Sequence, residues 1–217
     1  MIIAVDGPSG AGKSTVCRET ARRLDFSLLD TGAIYRCVAL TAMERGVEDE
    51  DGCAKIANEL DIRFVATKSG QKVFIGERDV TQAIRTFEVT ARVNQVSPMA
   101  KVRAQLLDIQ RRLGRQQNTI VEGRDIGSVV FPDAELKVFY TATPEARARR
   151  REKEFLAKGE KIDFAAVVEQ IRQRDETEFH REHSPLIQCE DAVVLDTSEL
   201  DFEQSCQALI ALIKKVK

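Results

Sequence analysis

Residues 7–15, G-P-S-G-A-G-K-S-T, constrain this chain more than any other stretch. Gly7 and Gly12 enclose four residues and are followed by Lys13 and Ser14, the spacing of a loop that wraps phosphate. At ordinary residue usage, a chain of this length matches by chance on the order of once in a hundred sequences. The surroundings sharpen the reading. The apolar run Ile2–Val5 precedes the loop as a strand, and Val16, Ala21 and Leu24 follow on the apolar side of a helix. Gly7, Gly10 and Gly12 let successive N–H groups point inward at phosphate oxygens, and the helix N-terminus adds partial positive charge. Lys13 is a mobile cation that can follow the β- and γ-phosphates of a nucleoside triphosphate, and the Ser14 hydroxyl can join the shell of Mg²⁺. The expected triphosphate site therefore comprises Gly7, Pro8, Ser9, Gly10, Ala11, Gly12, Lys13, Ser14 and Thr15.

A strand–loop–helix unit of this kind belongs in a parallel sheet, and the rest of the chain agrees. Short apolar runs at Ile2–Val5, Ser27–Leu29, Thr119–Val121, Leu136–Tyr140 and Ala192–Leu195 alternate with charged segments of helical period. Several runs end in an acidic residue (Asp6, Asp30, Glu122, Asp196), at the strand ends where such sheets gather ligands. Residues Asp61–Val80 instead alternate apolar and polar and turn at Ser69–Gly70 and Gly76, which predicts a small antiparallel hairpin or meander. Helices are expected from Pro98 to Leu113 with Gly114 as cap, from Pro144 until Lys158–Gly159 interrupts it, over Asp163–Glu182, and over Phe202–Val216.

Composition narrows the function classes. The 217 residues are 43% hydrophobic, enough for one α/β core. Lysine and arginine number 33 against 35 acidic residues, a net of −2, so no global field draws the chain to nucleic acid or anionic membrane. Five scattered cysteines without a CxxC pair point to reduced thiols rather than a disulfide framework or zinc site. No run approaches the ~20 apolar residues of a membrane span, and a cytoplasmic location is expected.

The phosphate loop alone does not separate kinases from GTPases, ATPases and motors. An NKxD guanine signal and a long apolar run ending in Asp-Glu are both absent. Arginine, by contrast, recurs near the strand ends and neighbouring helices: Arg36, Arg103, Arg124, Arg147, Arg150, Arg151, Arg174 and Arg181. Any one of these reads as a solvated helix face. Together they supply the positive charge that two anionic substrates need for in-line phosphoryl transfer.

Three segments then carry a family resemblance. L-L-D-T-G-A-I-Y-R (Leu28–Arg36), E-G-R-D-I-G-S-V-V-F-P-D-A (Glu122–Ala134) and I-R-Q-R-D (Ile171–Asp175) resemble the bacterial cytidylate kinases of the nucleoside monophosphate kinase superfamily. The resemblance runs from the phosphate loop to the last helix and includes the insert at Asp61–Val80. It implies a P-loop three-layer α/β fold with a five-stranded parallel sheet, a small antiparallel insert and a helical lid. The core would comprise residues 1–30, 114–146 and 185–217, the acceptor region 31–113, and the arginine-rich lid with its following helix 147–184. It also implies transfer from ATP–Mg²⁺ to CMP or dCMP. Arg36, Arg124 and Arg181 would hold the acceptor phosphate, with Thr31, Tyr35 and Asn94 also on the acceptor. Arg103 and Asp125 would read the cytosine edge, and Arg174 would lie near the sugar and bridging phosphates. Arg147, Arg150 and Arg151 would close on the triphosphate, and Lys13, Arg124, Arg174 and Arg181 would stabilise the transferring group. The family usually has serine at positions 94 and 31, where this chain has Asn94 and Thr31, and aspartate where it has Glu122. Glu122 either holds a Mg²⁺-bound water or simply ends its strand.

Other signals are bland. His180 and His183 share a helix face but lack an evident third metal ligand. The basic run Arg147–Lys153 has no interleaved aromatics for nucleic-acid stacking. Cys17 reads as a buried thiol. The expected partners are ATP and CMP or dCMP, with no nucleic acid, no membrane and a monomeric chain. The rivals are a P-loop kinase for another small acceptor and a regulatory module that binds nucleotide without acceptor-dependent turnover.

Overall fold

The computed structural model describes residues 1–67, 70–157, 159 and 162–216. Ser69 and Lys158, and with them the turn expected at Ser69–Gly70 and the break expected at Lys158–Gly159, lie outside the described residues. The chain divides into one unit of residues Met1–Leu28 and Gln117–Lys217 and a second of Leu29–Gln116.

The central sheet has the order β2-β6-β1-β7-β8, from strands Ile2–Asp6 (β1), Ser27–Asp30 (β2), Thr119–Gly123 (β6), Leu136–Thr141 (β7) and Val193–Asp196 (β8). β1 pairs in parallel with β6 and β7, and β7 in parallel with β8. Every residue of β1 is buried, because a central parallel strand is covered on both faces. On one face Ile3, Val5, Ile120, Val138 and Leu195 pack against helix Lys13–Leu24 (α1; Val16, Cys17, Ala21) and helix Phe202–Lys215 (α8; Cys206, Leu209, Ile213). α8 opens with a capping box in which Asp201 accepts from the Gln204 backbone and the Gln204 side chain accepts from Asp201.

Also in the first unit, helix Pro144–Leu156 (α6) starts where Thr143 accepts from the Ala146 N–H and Pro144 fills the first turn. It packs on helix Phe164–His180 (α7) through Ala148, Val168 and Ile171. α7 stops two residues before the expected Glu182. Arg181 turns to φ −64°, ψ 144°, which takes it out of the helix.

The second unit holds more helix than its sequence pattern suggests. Helix Thr31–Arg45 (α2) is apolar around most of its circumference and buries Ala33, Ile34, Cys37, Val38 and Ala42. A fully buried helix shows little amphipathic contrast, so period alone does not reveal it. Asp30 caps it by accepting from the Ala33 N–H, and Gly46 ends it in the left-handed conformation. Helices Glu50–Glu59 (α3), Phe87–Val96 (α4) and Ala100–Gly114 (α5) follow. Gly114 is the last residue of α5 rather than its cap, which is Arg115. The alternating segment forms a three-stranded antiparallel sheet, Ile62–Thr67 (β3), Gly70–Ile75 (β4) and Arg78–Asp79 (β5). Gly76 makes the second turn at φ 57°.

Candidate active site

The phosphate loop fills the gap between the last residue of β1, Asp6, and the first of α1, Lys13. Glycine is required at position 7 for lack of space: a Cβ there would lie 1.9 Å from the Tyr140 carbonyl oxygen. Gly12, at φ 86°, turns the chain into α1 as its N-cap, and no side chain caps the helix start there, an arrangement that suits an anion at the helix N-terminus.

Lys13 is 6% exposed and its Nζ stands 3.8 Å from Glu122 Oε2. Ser14 Oγ donates to the same oxygen at 2.8 Å. Glu122 is 2% exposed at the carboxyl end of β6. A serine hydroxyl beside a buried carboxylate is a pair of hard oxygen donors at the loop's end, and it fits Mg²⁺ entering with substrate phosphates. Among the described residues no group of three or more His, Cys, Asp or Glu side chains could hold a metal unaided. His180 and His183 are exposed.

Next along the sheet end comes the segment after β6. Arg124 Nε donates to Glu178 Oε2 at 2.8 Å, and Arg174 Nε donates to Glu178 Oε1 at 3.1 Å. Glu178 lies one helical turn beyond Arg174 on α7. Burial pushes its carboxyl up, but the two guanidiniums outweigh that and hold it below the ordinary glutamate range. Arg181 Nε donates to the Ser184 carbonyl at 2.6 Å. Asp125 is buried beside these groups in sequence, and after it Ile126–Val130 forms a single π-turn.

The arginines of α6 approach the phosphate loop from its carbonyl side. Arg147, 2% exposed, forms a two-pronged ion pair with Asp175 of α7 and donates to the Ser9 carbonyl at 3.1 Å. Arg150 donates to the Ala11 carbonyl at 2.5 Å and to the Thr197 carbonyl just past β8. Arg151 lines a cavity of 150 Å³ with Ser9, Arg147, Gln170, Arg174 and Asp175. α6 thus meets the loop and α7 through the buried guanidinium of Arg147, and the loop again through the half-buried Arg150.

Within the second unit, Arg36 donates to Thr90 Oγ1 at 2.8 Å and to the Ile84 carbonyl at 3.3 Å. Arg103 donates to the Ser97 carbonyl at 2.9 Å, and its guanidinium sits 5.2 Å from the Tyr35 ring centroid. Tyr35 is buried, so a cation–π contact helps hold Arg103 in place. Thr31 is buried as the first residue of α2, while Asn94 is exposed on α4.

The family model described as cytidylate kinase matches residues 3–215. The chain belongs to the cytidylate kinase family. It is 45% identical over 215 residues to the cytidylate kinase of Carboxydothermus hydrogenoformans, covering 98% of this chain and 97% of that one. It is 47% identical over 212 residues to that of Exiguobacterium sibiricum, covering 97% and 95%. Among solved structures it shares its fold with an uncharacterized protein from Eubacterium ventriosum (TM-score 0.52, 11% identity, 99% and 98% covered). A gluconokinase from Sinorhizobium meliloti shares it too (TM-score 0.50, 14% identity, 99% and 91% covered). The chain is a P-loop kinase by family as well as by loop.

Three acidic residues of this cytidylate kinase family member escaped the reading of its sequence as site residues. Asp175 pairs with Arg147 and Glu178 joins Arg124 to Arg174. Helical spacing from Arg174 was the available signal for Glu178. The third is Asp6, whose Oδ1 accepts from the Ile126 N–H at 2.8 Å and Oδ2 from the Gly127 N–H at 2.7 Å. Its signal was an acidic residue closing an apolar strand next to a glycine loop.

Proposed function

We infer that this chain transfers the γ-phosphoryl group of ATP–Mg²⁺ to CMP or dCMP, giving ADP and CDP or dCDP. The donor half rests on the phosphate loop, with Lys13 to follow the β- and γ-phosphates and Gly7–Thr15 N–H groups to surround them. Mg²⁺ would be held through Ser14 and, by way of water, Glu122, and when bound it neutralises charge on the triphosphate. Arg147, Arg150 and Arg151 act on the triphosphate side, in a lid made of residues 147–184.

The observation that carries the acceptor half is the meeting of Arg124 and Arg174 on Glu178. A carboxylate gripped by two guanidiniums marks a place that suits an anionic substrate group. In this reading Arg124 and Arg181, with Arg36 of the second unit, bind the acceptor phosphate, and Arg174 lies near the sugar and bridging phosphates. Arg103 and Asp125 read cytosine, whose N3 and O2 accept and whose N4 amine donates. Uracil turns the N3 acceptor into a donor and replaces the amine with a carbonyl, leaving a polar partner unsatisfied. Thr31, Tyr35 and Asn94 complete the acceptor region of residues 31–113.

No general base is needed, because the attacking phosphate oxygen is anionic near neutral pH. Positioning and charge neutralisation by Lys13, Arg124, Arg174 and Arg181 lower the barrier. Exclusion of water by α6 and α7 keeps the phosphoryl group from hydrolysis. The reading includes a monomer acting in the cytoplasm; no helix among the described residues is long and apolar enough to cross a membrane.

A coupled ADP-release assay across CMP, dCMP, UMP and AMP tests it. Strong preference for CMP and dCMP is the expected result. Acceptor-independent ADP release, or equal use of UMP and AMP, overturns the assignment.

A further inference from the structure

Asp6 is a buried carboxylate to which the phosphoryl-transfer chemistry gives no task. It is 5% exposed at the carboxyl end of the central strand β1, in register with Gly123 of β6 and Phe139 of β7. Its two oxygens are divided between two consecutive backbone donors, Ile126 and Gly127. These open the π-turn Ile126–Val130, directly after Arg124 and Asp125. The fit around the pair is close: a Cβ on Gly127 would lie 3.5 Å from Asp6 Oδ2 and 3.0 Å from Lys137 Cδ. Lys13 and Asp125 are the charged groups whose fields act on the carboxylate, one favouring its charge and the other opposing it.

Burying a carboxylate so close to Asp125 is unfavourable, and a strand end has no need of one. A charge-assisted grip on two adjacent N–H groups does require both oxygens, and only an ionised acid supplies two acceptors from a side chain this short. We propose that Asp6 is a positioning residue for the acceptor: by holding the Ile126 and Gly127 amides it fixes the backbone from which Arg124 and Asp125 project. Asp6 touches no substrate in this scheme. It acts through the turn, and it ties the orientation of the acceptor-binding pair to the same strand that launches the phosphate loop. The proposal rests on the reading of Arg124 and Asp125 as CMP-binding residues.

Steady-state kinetics of Asp6→Asn and Asp6→Glu, with CMP and ATP varied separately, test it. Asparagine keeps the shape but offers one acceptor and turns an N–H donor toward one of the two amides. The KM for CMP is expected to rise by about tenfold, the scale of one lost charge-assisted hydrogen bond, while the KM for ATP stays within about twofold. Asp6→Glu keeps both oxygens on a chain one methylene longer and recovers part of the CMP loss, and it carries the same readout if Asp6→Asn does not fold. Equal changes in the two KM values, or an unchanged KM for CMP in both variants, overturn the proposal. A wild-type chain that ignores CMP would instead refute the acceptor assignment itself.

Discussion

Ser14 and Glu122 meet at 2.8 Å although 108 residues separate them in the chain. β1 and β6 lie side by side, so the helix launched from one strand presents its hydroxyl to the carboxylate ending the other. Glu122 accepts a hydrogen bond there. Replacing it with glutamine keeps the volume and removes the charge. The Mg²⁺ concentration for half-maximal rate should rise about tenfold or more, and kcat should fall at saturating ATP. A Mg²⁺ titration of Glu122→Gln checks this, and an unchanged requirement would leave Glu122 a structural role only.

The crowding at Gly7 predicts a loss larger than the size of one methyl group suggests. A Cβ 1.9 Å from the Tyr140 carbonyl cannot be relieved by a side-chain rotation, because the obstacle is backbone. Either the loop or β7 must move. Gly7→Ala should therefore weaken ATP binding by at least about tenfold, the scale of misplacing pre-aimed phosphate donors. Calorimetric titration with ATP measures it directly.

Asp6 predicts an unusual dependence of stability on pH. Burial, set against the Ile126 and Gly127 hydrogen bonds, pushes its carboxyl from 3.8 up to about 6. A raised folded-state value means that the native state binds the proton more tightly than the unfolded chain. The associated stability is fully present below pH 3.8 and is lost as pH rises through about 6. Asp6→Asn cannot titrate, so its stability relative to wild type should improve by about 3 kcal/mol between about pH 3 and pH 8, roughly half of it above pH 5, for a shift of this order. Denaturant melts of both proteins across that range test the sign.

Asp175→Asn probes the buried end of α6. Arg147 is 2% exposed and would keep its charge with only the Ser9 carbonyl and a weak amide partner. Removing one partner of a buried pair costs about 3–5 kcal/mol, which should lower the melting temperature markedly. Arg147→Met with Asp175→Leu removes both charges and should restore much of it. Thermal unfolding of the single and double variants separates the two outcomes.

Tyr35→Leu tests the support of Arg103. Loss of the ring beneath the guanidinium removes about 0.5–2 kcal/mol of attraction, so the KM for CMP should rise by about twofold to thirtyfold with kcat less affected. Arg103 keeps its bond to the Ser97 carbonyl, which limits the effect.

The features legible in the sequence were those with short-range grammar. The loop from Gly7 to Thr15 announces itself through glycine, lysine and serine spacing, and the insert announces itself through alternation and Gly76. The stop of α7 was visible only to within a few residues. α2 was hidden because it is buried nearly all round, and its apolar residues gave no stripe. The side-chain partners were hidden for a different reason. Asp175 and Glu178 are ordinary surface-like letters on a helix, and only tertiary packing brings them to Arg147 and Arg124. Asp6 was seen as a strand end, yet its task depends on amides 120 positions away, which no local pattern encodes.

The second unit is a single uninterrupted stretch, Leu29–Gln116, and the residues flanking its two ends are joined by a hydrogen bond from the Ser27 N–H to the Asn118 carbonyl at 2.9 Å. A segment that leaves and re-enters through neighbouring residues can lengthen, shorten or be replaced wholesale without rethreading the sheet. Grafting residues 31–116 from a relative into this chain is accordingly a cassette exchange, in which one piece is renewed while β2, the nucleotide loop and the other strands of the central sheet keep their original pairing.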